Sequence, residues 1–286
     1  MRPWLAVLCG AALPLLATAA DALPRVMSTN LCADIVLLSL ADAAQVVSVS
    51  ARSQDPARSS LAALARRHAS NDGTAEEVIA ARPDVVLASR RWQARHQGAL
   101  LARHGIRIVT VPFPDDWPGI FDSTRKIGVA IGREAAAEAL IAELEGRLAA
   151  LRPAQPEDAP RAPLRALYLR PNGGTAGAKT HVDAVLRAAG LANHAALGGR
   201  VGWGRASLEE VVADPPELLV TSQMVHDTAY ARAGFSRHPQ LRALADGRPA
   251  LALAHNDWGC SNWQLIEAAE ELADGRRRQA HAGVAQ

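Results

Sequence analysis

A short apolar segment followed by a helical pattern recurs along most of this chain, and this alternation constrains its fold more than any other feature. In the first part of the chain, the expected strands are residues 25–28, 46–49, 85–88 and 108–111, and the expected helices are 31–40, 74–81 and 94–104. A chain that alternates between strands and helices folds into a parallel sheet with helices on both faces. The fold class predicted from this pattern is α/β.

The alternation stops near residue 116 and resumes after residue 152. Residues 117–151 show only an alanine- and leucine-rich helical pattern, which Gly128 and Gly132 interrupt, and the proline-rich residues 152–163 cannot continue a helix. After residue 163, the expected strands are 165–169, 218–221 and 251–254, and the expected helices are 181–189, 208–213 and 262–273. We therefore expect two Rossmann-like lobes with parallel sheets, residues 23–115 and 153–286, joined by one long linker helix over 116–152, with a ligand cleft between the lobes.

The first twenty residues have the composition of a secretory signal peptide. Arg2 precedes a mostly apolar run over residues 5–16, and the small residues 17–20 follow it. An uncleaved anchor helix is the alternative, but the run is shorter than the about 20 apolar residues that span a membrane. We expect cleavage after residue 20, or as late as residue 22, and a soluble periplasmic protein.

Charge and motif content exclude several classes of function. The chain has 31 basic and 29 acidic residues without a concentrated basic face, so nucleic acid is not an expected partner. A hydrolase would need a GxSxG turn or a supported Ser/His/Asp set, and the sequence has no GxSxG. The Gly-rich residues 171–179 lack the spacing of a phosphate-binding loop, and they indicate either a turn or a close approach of the backbone to a ligand. We expect a binding protein with no cofactor and no protein-built metal site, rather than an enzyme.

Aromatic residues concentrate in the loops that the predicted sheets would turn towards a ligand. Ligands of open α/β sheets bind beyond the carboxyl ends of the strands. Five of the six tryptophans lie beyond the signal peptide, in or beside those loops: Trp92, Trp117, Trp203, Trp258 and Trp263. Their flat rings suit a bulky ligand, because they bury a large area and lose little rotamer entropy. Packing in the lobe cores is the alternative, and it is favoured for Trp263.

Six segments spread over the chain resemble one known family. They are RVMSTNLCADIVLLSLADAAQVVSVS, GTAEEVIAARPDVVLAS, ALLARHGIRIVTVP, GGTAGAKTHVDAVLRAAGLAN, RVGWGRASLEEVVADPPELLV and NDWGCSNWQLIEAAEELA. The chain resembles the periplasmic substrate-binding proteins of ABC importers for cobalamin, ferric siderophores and haem, the class III proteins with a single helical backbone. The resemblance implies a stiff monomer that captures a bulky small molecule and delivers it to a permease dimer in the inner membrane.

Within that family the chain is most similar to cobalamin-binding proteins, at Trp203 and at the pair Asp257-Trp258. It departs from them at residues 30–32 and 258–260, so corrinoid, ferric siderophore and haem all stay open as ligands. A metal-ion or metal-chelate binding protein of the same fold is the alternative function, and a periplasmic hydrolase is a weaker one. The candidate ligand-binding residues are Asn30, Cys32, Arg52, Trp92, Trp117, Tyr168, Trp203, Asp257, Trp258 and Cys260.

Glu76 and Glu209 begin corresponding short helices, one in each lobe. The resemblance implies that these two carboxylates dock onto arginines of the permease. The alternative is that each carboxylate only complements the dipole of its own helix, and the neighbours Glu77 and Glu210 could substitute for them.

Cys32 and Cys260 lie on expected cleft loops of opposite lobes. Three interpretations are open: a disulfide that joins the lobes, thiols that face the ligand or a metal, and two unrelated small buried residues. His226 and His255 also lie on cleft loops and could ligate a haem iron or a cobalt, although a surface or hydrogen-bonding role is favoured for both.

Overall fold

The computed structural model describes residues 22–95, 98–151, 162–170, 172–222, 238–240, 243, 250–253 and 259–284. Asp257, Trp258, His226 and His255, and the proposed signal peptide over residues 1–20, lie outside these ranges. Among the described residues, no helix is both long enough and apolar enough to cross a membrane.

The N-terminal lobe is built on a five-stranded sheet. Its elements are β1 (Val26–Ser28), α1 (Leu31–Leu40), β2 (Val46–Ser50), α2 (Ala62–Ala65), β3 (Ser70–Asn71), α3 (Ala75–Ala81), β4 (Val85–Ala88), α4 (Arg90–Arg95), α5 (Gly98–Arg103) and β5 (Arg107–Thr110). The strand order is β3-β2-β1-β4-β5, and every neighbouring pair is parallel. The expected parallel sheet is confirmed. The helix expected over residues 94–104 differs, because α4 begins directly after β4 and α5 is a separate helix.

Two helices, rather than the one long helix expected, connect the lobes. They are α6 (Trp117–Ala130) and α7 (Glu134–Leu151). The chain turns between them at Gly132, whose φ of 69° is a left-handed conformation that glycine adopts without steric penalty. The two helices then run back along each other, with Gly128 against Ala137 and an ion pair of 2.9 Å between Arg125 Nε and Glu138 Oε1.

The C-terminal lobe is built on a second parallel sheet. Its elements are β6 (Arg165–Leu169), β7 (Gly174–Ala176), α8 (His181–Ala188), β8 (Ala192–Asn193), α9 (His194–Leu197), β9 (Trp203–Arg205), α10 (Leu208–Ala213), β10 (Leu218–Ser222), β11 (Ala250–Leu253) and α11 (Leu265–Val284). The strand order is β11-β10-β6-β8, and all pairs in it are parallel. β7 and β9 form a separate antiparallel ribbon.

The helices α6 and α7 each contribute to the apolar cores of both lobes. Ile120 of α6 packs in the core of the C-terminal lobe, whereas Ile127 of the same helix packs in the core of the N-terminal lobe. Ala137 of α7 lies in the N-terminal core, and Leu144 of α7 lies in the C-terminal core. Separating the lobes would expose these buried apolar surfaces to water, at about 25 cal/mol per Å².

Candidate ligand-binding cleft

A cavity of about 400 Å³ opens at the carboxyl ends of β1, β4 and β5. This is the edge of the sheet at which ligands of parallel α/β folds bind. Nine residues line the cavity: Asn30, Cys32, Ser89, Arg90, Arg91, Thr110, Val111, Pro112 and Phe113. The sequence predicted two of them, Asn30 and Cys32. It missed the other seven, although five of them directly follow the expected strands 85–88 and 108–111.

A disulfide forms part of the cavity wall and joins the two lobes. Cys32, in the first turn of α1, is bonded to Cys260, which lies shortly before α11, and their Cα atoms are 5.3 Å apart. Of the three interpretations that the sequence left open, the structure contains the disulfide. Cys32 lines the cavity, and Cys260 is buried.

Two hydrogen bonds reinforce the junction between the lobes beside this disulfide. Ser261 Oγ donates to the carbonyl oxygen of Pro114. Gln264 Nε2 donates to Ser60 Oγ over 2.6 Å. The segment before α11 is therefore attached to the N-terminal lobe by a covalent bond and by polar contacts.

A row of aromatic rings continues from the cavity into the C-terminal lobe. The ring of Phe113 meets His181 edge-on at 5.1 Å, and His181 lies 5.3 Å from Trp203. Tyr168 meets Trp203 edge-on at 6.3 Å. His181 and Tyr168 are fully buried, whereas Phe113 is 52% exposed and Trp203 is 39% exposed. This aromatic row, residues 113, 181, 203 and 168, presents two apolar faces to solvent and joins both lobes.

An arginine lies on the exposed tryptophan of the aromatic row. The guanidinium carbon of Arg170 is 4.4 Å from the centre of the Trp203 ring, a distance at which the cation is attracted to the face of the ring. Arg170 Nε also donates to Tyr168 Oη over 3.3 Å. The two contacts place a positive charge beside the apolar surface of the aromatic row.

The glycine-rich segment before α8 positions Trp203. Its strand β7 pairs with β9 so that Ala176 is opposite Trp203. A Cβ atom added to Gly177 would lie 2.1 Å from the carbonyl oxygen of Arg200, so only glycine allows these two segments of the backbone to approach this closely. The sequence favoured either a turn or a close approach of this backbone to a ligand; the close approach at Gly177 is instead to another segment of the protein.

Three of the tryptophans expected in the cleft or its loops pack into the cores. Trp92, expected to line the cleft, is only 9% exposed, and its Nε1 donates to the carbonyl oxygen of Gly73 over 2.6 Å. It points inwards because α4 starts directly after β4 and directs its third residue to the core of the N-terminal lobe. Trp117 packs against the core of the C-terminal lobe and donates from Nε1 to the carbonyl oxygen of Ala184 over 3.3 Å. Trp263 packs against the same core, as the sequence favoured.

Arg52 lies apart from the cavity. It is exposed on a short 3₁₀ helix over residues 51–54 and does not belong to the cavity lining. Within the described ranges, no three His, Cys, Asp or Glu side chains come together in a way that could hold a metal ion.

A buried carboxylate anchors the helix that carries Asn30 and Cys32. Asp34 accepts hydrogen bonds from the backbone N–H of Ser50 over 3.0 Å and from the hydroxyls of Ser28 and Ser50. Burial raises the pKa of Asp34 to about 6, although these hydrogen bonds act in the opposite direction. The carboxyl group thereby ties the first turn of α1 to the ends of β1 and β2.

Matched glutamates stand at the start of α3 and α10, one helix in each lobe. In α3 the hydroxyl of Thr74 caps the helix and Glu77 completes a capping box, and Ser207 and Glu210 do the same for α10. The second glutamate of each helix is therefore engaged in capping.

The first glutamate of each helix faces solvent. Glu76 and Glu209 are both exposed, and neither completes the capping box of its helix. Glu209 accepts a hydrogen bond from Ser207 Oγ over 2.9 Å, and contacts with its own backbone N–H and with this hydroxyl lower its pKa. Glu76 and Glu209 therefore offer two corresponding negative charges to a partner.

Comparison with known proteins identifies one family, related sequences and solved structures of similar fold. A family model described as periplasmic binding protein matches residues 26–248. Cobalamin-binding proteins from two strains of Halobacterium salinarum are 32% identical to this chain over 147 residues. The match covers 51% of this chain and only 39% of the length of these curated relatives.

Solved structures share the fold over most of the chain. A periplasmic haem-binding protein of Vibrio cholerae superposes with a TM-score of 0.70 at 18% identity, covering 88% of this chain and 98% of that one. A possible iron-binding periplasmic protein of Staphylococcus epidermidis superposes with a TM-score of 0.69 at 17% identity, with the same coverage of both chains. At these identities the likeness shows a common two-lobed fold.

Proposed function

Since the chain belongs to the periplasmic binding protein family, we propose that it is the exported solute-binding component of an ABC import system. Its cargo is a bulky metal complex, either a corrinoid, a ferric siderophore or haem. Members of the family bind substrates without transforming them, and this chain is a binding protein rather than an enzyme.

The observation that carries this proposal is the aromatic row beside the cavity. A large, flat cargo gains affinity from broad apolar faces, and the exposed rings of Phe113 and Trp203 supply such faces on both sides of the cleft. The names of the relatives, which are cobalamin-, haem- and iron-binding proteins, support a cargo of this class.

Calorimetric titration of the purified protein with cyanocobalamin, dicyanocobinamide, haem and a set of ferric siderophores tests the proposal. A stoichiometric response with a Kd below about 1 µM, near −8 kcal/mol, is the expected result for one of them. A folded, ligand-free protein that responds to none of these compounds would overturn the proposal.

Delivery to the importer is the second part of the proposed function. We propose that Glu76 and Glu209 pair with basic side chains of a permease dimer, since both are exposed and occupy the same position in α3 and α10. Cells that carry Glu76→Gln/Glu209→Gln in place of the natural chain should import the labelled cargo more slowly, while the purified variant binds it normally. Glu134→Gln, an exposed glutamate at the start of α7, is the matched control and should not change import. Import at the natural rate in the double variant would remove these residues from docking.

Export is proposed on the strength of residues 1–20. The mass of the protein recovered from the periplasm should correspond to a chain that begins between residues 21 and 23. Recovery of the intact chain in the membrane fraction would instead favour an anchor helix. A monomer is the proposed assembly state, and light scattering of the purified protein measures it directly.

A further inference from the structure

We propose that the cavity beside the disulfide binds acidic groups of the cargo, so that the cargo is an anionic, carboxylate-bearing metal complex rather than a neutral corrinoid. This inference rests on the proposed function and selects among the three classes of ligand named there.

Among the described residues that line the cavity, the charged side chains are both positive. Arg90 and Arg91, the first two residues of α4, line it, and both are exposed. None of the nine residues that line it is a carboxylate. Within the part of the chain that the structure describes, neither arginine forms an ion pair, so both guanidinium groups can pair with a ligand. Guanidinium groups bind carboxylates through two parallel hydrogen bonds, which gives this pairing both affinity and orientation.

Two further polar groups of the cavity lining, Asn30 and Ser89, can donate hydrogen bonds to a ligand. Asn30 Oδ1 accepts from the backbone N–H groups of Cys32 and Ala33, at 3.1 and 3.2 Å, which fixes the orientation of the amide. The other end of that amide, Asn30 Nδ2, is buried and has no hydrogen-bond partner among the residues described. Ser89 Oγ accepts from the backbone N–H of Trp92 over 3.2 Å, so its hydroxyl hydrogen is available to an acceptor.

A buried donor without a partner is destabilising, and an acceptor oxygen of the cargo would supply the missing partner at Asn30. The amides of a corrinoid offer both donors and acceptors, whereas a carboxylate offers only acceptors. A cavity with two cations, an amide donor and a hydroxyl donor therefore fits carboxylates better than amides.

The backbone that carries the arginines is held by contacts within the N-terminal lobe. Trp92, the residue after Arg91, is held in the core by its hydrogen bond to Gly73, and the backbone N–H of Trp92 is held by Ser89. The first turn of α4, which carries both arginines, is therefore held in place by contacts of its backbone and of the Trp92 ring. Binding at these arginines needs no ordering of the backbone, which lowers its entropic cost.

The cavity and the aromatic row contact different parts of the cargo. The cavity of about 400 Å³ lies near the lower end of the range of small-molecule sites, so it accommodates one edge of a bulky complex. The flat part of the cargo lies against Phe113 and Trp203, where Arg170 adds a further positive charge.

Matched pairs of probes test the inference. Haem and haem dimethyl ester share one ring system and differ in two carboxylates, and ferric citrate and ferrioxamine B are an anionic and a cationic complex of ferric iron. Cyanocobalamin is the neutral corrinoid. We expect the anionic member of at least one pair to bind at least about tenfold more tightly than its partner and than cyanocobalamin, as for one charge-assisted contact.

Substitution of the two arginines tests whether they cause the preference for anionic probes. Arg90→Gln/Arg91→Gln should lose at least about tenfold in affinity for the anionic probe and little for its uncharged or cationic partner. Arg103→Gln, which changes an exposed arginine in α5 away from the cavity, is the matched control and should bind like the natural protein. Near-UV circular dichroism of the double variant verifies that it is folded.

The possible outcomes separate the two proposals. Equal affinity for the esterified and free acids, or tight binding of cyanocobalamin that Arg90→Gln/Arg91→Gln does not change, overturns the anionic cargo and leaves the capture function standing. An absence of binding by every probe, neutral ones included, overturns the capture function itself.

Discussion

The disulfide between Cys32 and Cys260 joins the first helix of the N-terminal lobe to the segment before the last helix, across 228 positions of the chain. It lies at the cleft, whereas α6 and α7 hold the two cores together elsewhere. Because the lobes are attached at two separate places, cargo has to enter with little movement of one lobe relative to the other.

Replacing both cysteines, Cys32→Ser/Cys260→Ser, should destabilise the protein by about 3–5 kcal/mol. The bond closes a loop of more than 200 residues, and the chain-entropy account of crosslinks gives about 5 kcal/mol for a loop of that length as an upper value. Denaturant unfolding with and without a reductant measures the effect. A reductant should shift the natural protein to the midpoint of the variant and leave the variant unchanged. Identical midpoints for the variant and the oxidised natural protein would mean that the bond does not form in solution.

Trp203→Ala should weaken cargo binding by at least about thirtyfold, while the free energy of unfolding changes by less than about 1 kcal/mol. The ring is 39% exposed and lies between His181 and Tyr168 in the aromatic row, so its loss removes an exposed apolar face and leaves the two buried rings in place. Titration of the preferred probe and chemical denaturation measure the two quantities.

Trp92→Ala is the matched comparison, and it should behave in the opposite way. Its ring is buried and its N–H is bonded to Gly73, so we expect a loss of about 3–5 kcal/mol in the free energy of unfolding. A large loss of affinity in a stable Trp92→Ala protein would place that residue in the binding surface after all.

The buried carboxyl of Asp34 should make stability depend on pH. Its pKa is about 6 in the folded protein and 3.8 in its reference state, so the folded protein holds this proton more tightly. The stability that Asp34 contributes is therefore complete below about pH 4 and is lost as pH rises through 6, by about 3 kcal/mol in total.

Asp34→Asn isolates that contribution. The difference in unfolding free energy between the natural protein and the variant should fall by about 3 kcal/mol from pH 3 to pH 7, measured by denaturant unfolding at several pH values. A difference that stays constant over this pH range would contradict the raised pKa of Asp34.

Gly128→Ala should destabilise the protein by about 1–3 kcal/mol. An added Cβ would lie 2.6 Å from the Cβ of Ala137, so α6 and α7 would have to move apart. Gly146→Ala is the control within α7: nothing lies within 4 Å of the new methyl group, and the change should stabilise the helix by about 0.5–1 kcal/mol. Thermal unfolding distinguishes the expected destabilisation from the expected stabilisation. A stabilising Gly128→Ala would contradict this packing of α6 on α7.

Much of the fold was predictable from the sequence, because the apolar period identifies elements and alternation identifies a parallel sheet. The helices over residues 31–40 and 208–213 and the strands over 85–88 and 165–169 have the bounds expected of them. The two-helix linker was not predicted. Its turn depends on Gly132, and a glycine inside a helical pattern can be either a turn or a tolerated weak point.

The binding surface was predicted less completely. Loop positions could be inferred from strand ends, but the direction of a side chain within a loop depends on where the next helix begins. The first residue of α4 determines that the Trp92 side chain faces the core, whereas its neighbours Arg90 and Arg91 line the cavity. Exposed arginines are common on any protein surface, so the sequence offered no signal that would select these two. The proximity of Cys32 and Cys260 is likewise a property of the tertiary structure.

The shared helices α6 and α7 also decide what counts as a folding unit in this protein. Proteins with two lobes often unfold in two steps, because each lobe has a core of its own. Here Ile120 and Ile127, seven residues apart on one helix, belong to different cores, and α7 repeats the arrangement. If one lobe melts, the other loses part of its interior, so the chain is expected to unfold in a single cooperative transition. Neither lobe, cut at residue 115 or residue 153, carries all the residues that complete its own core.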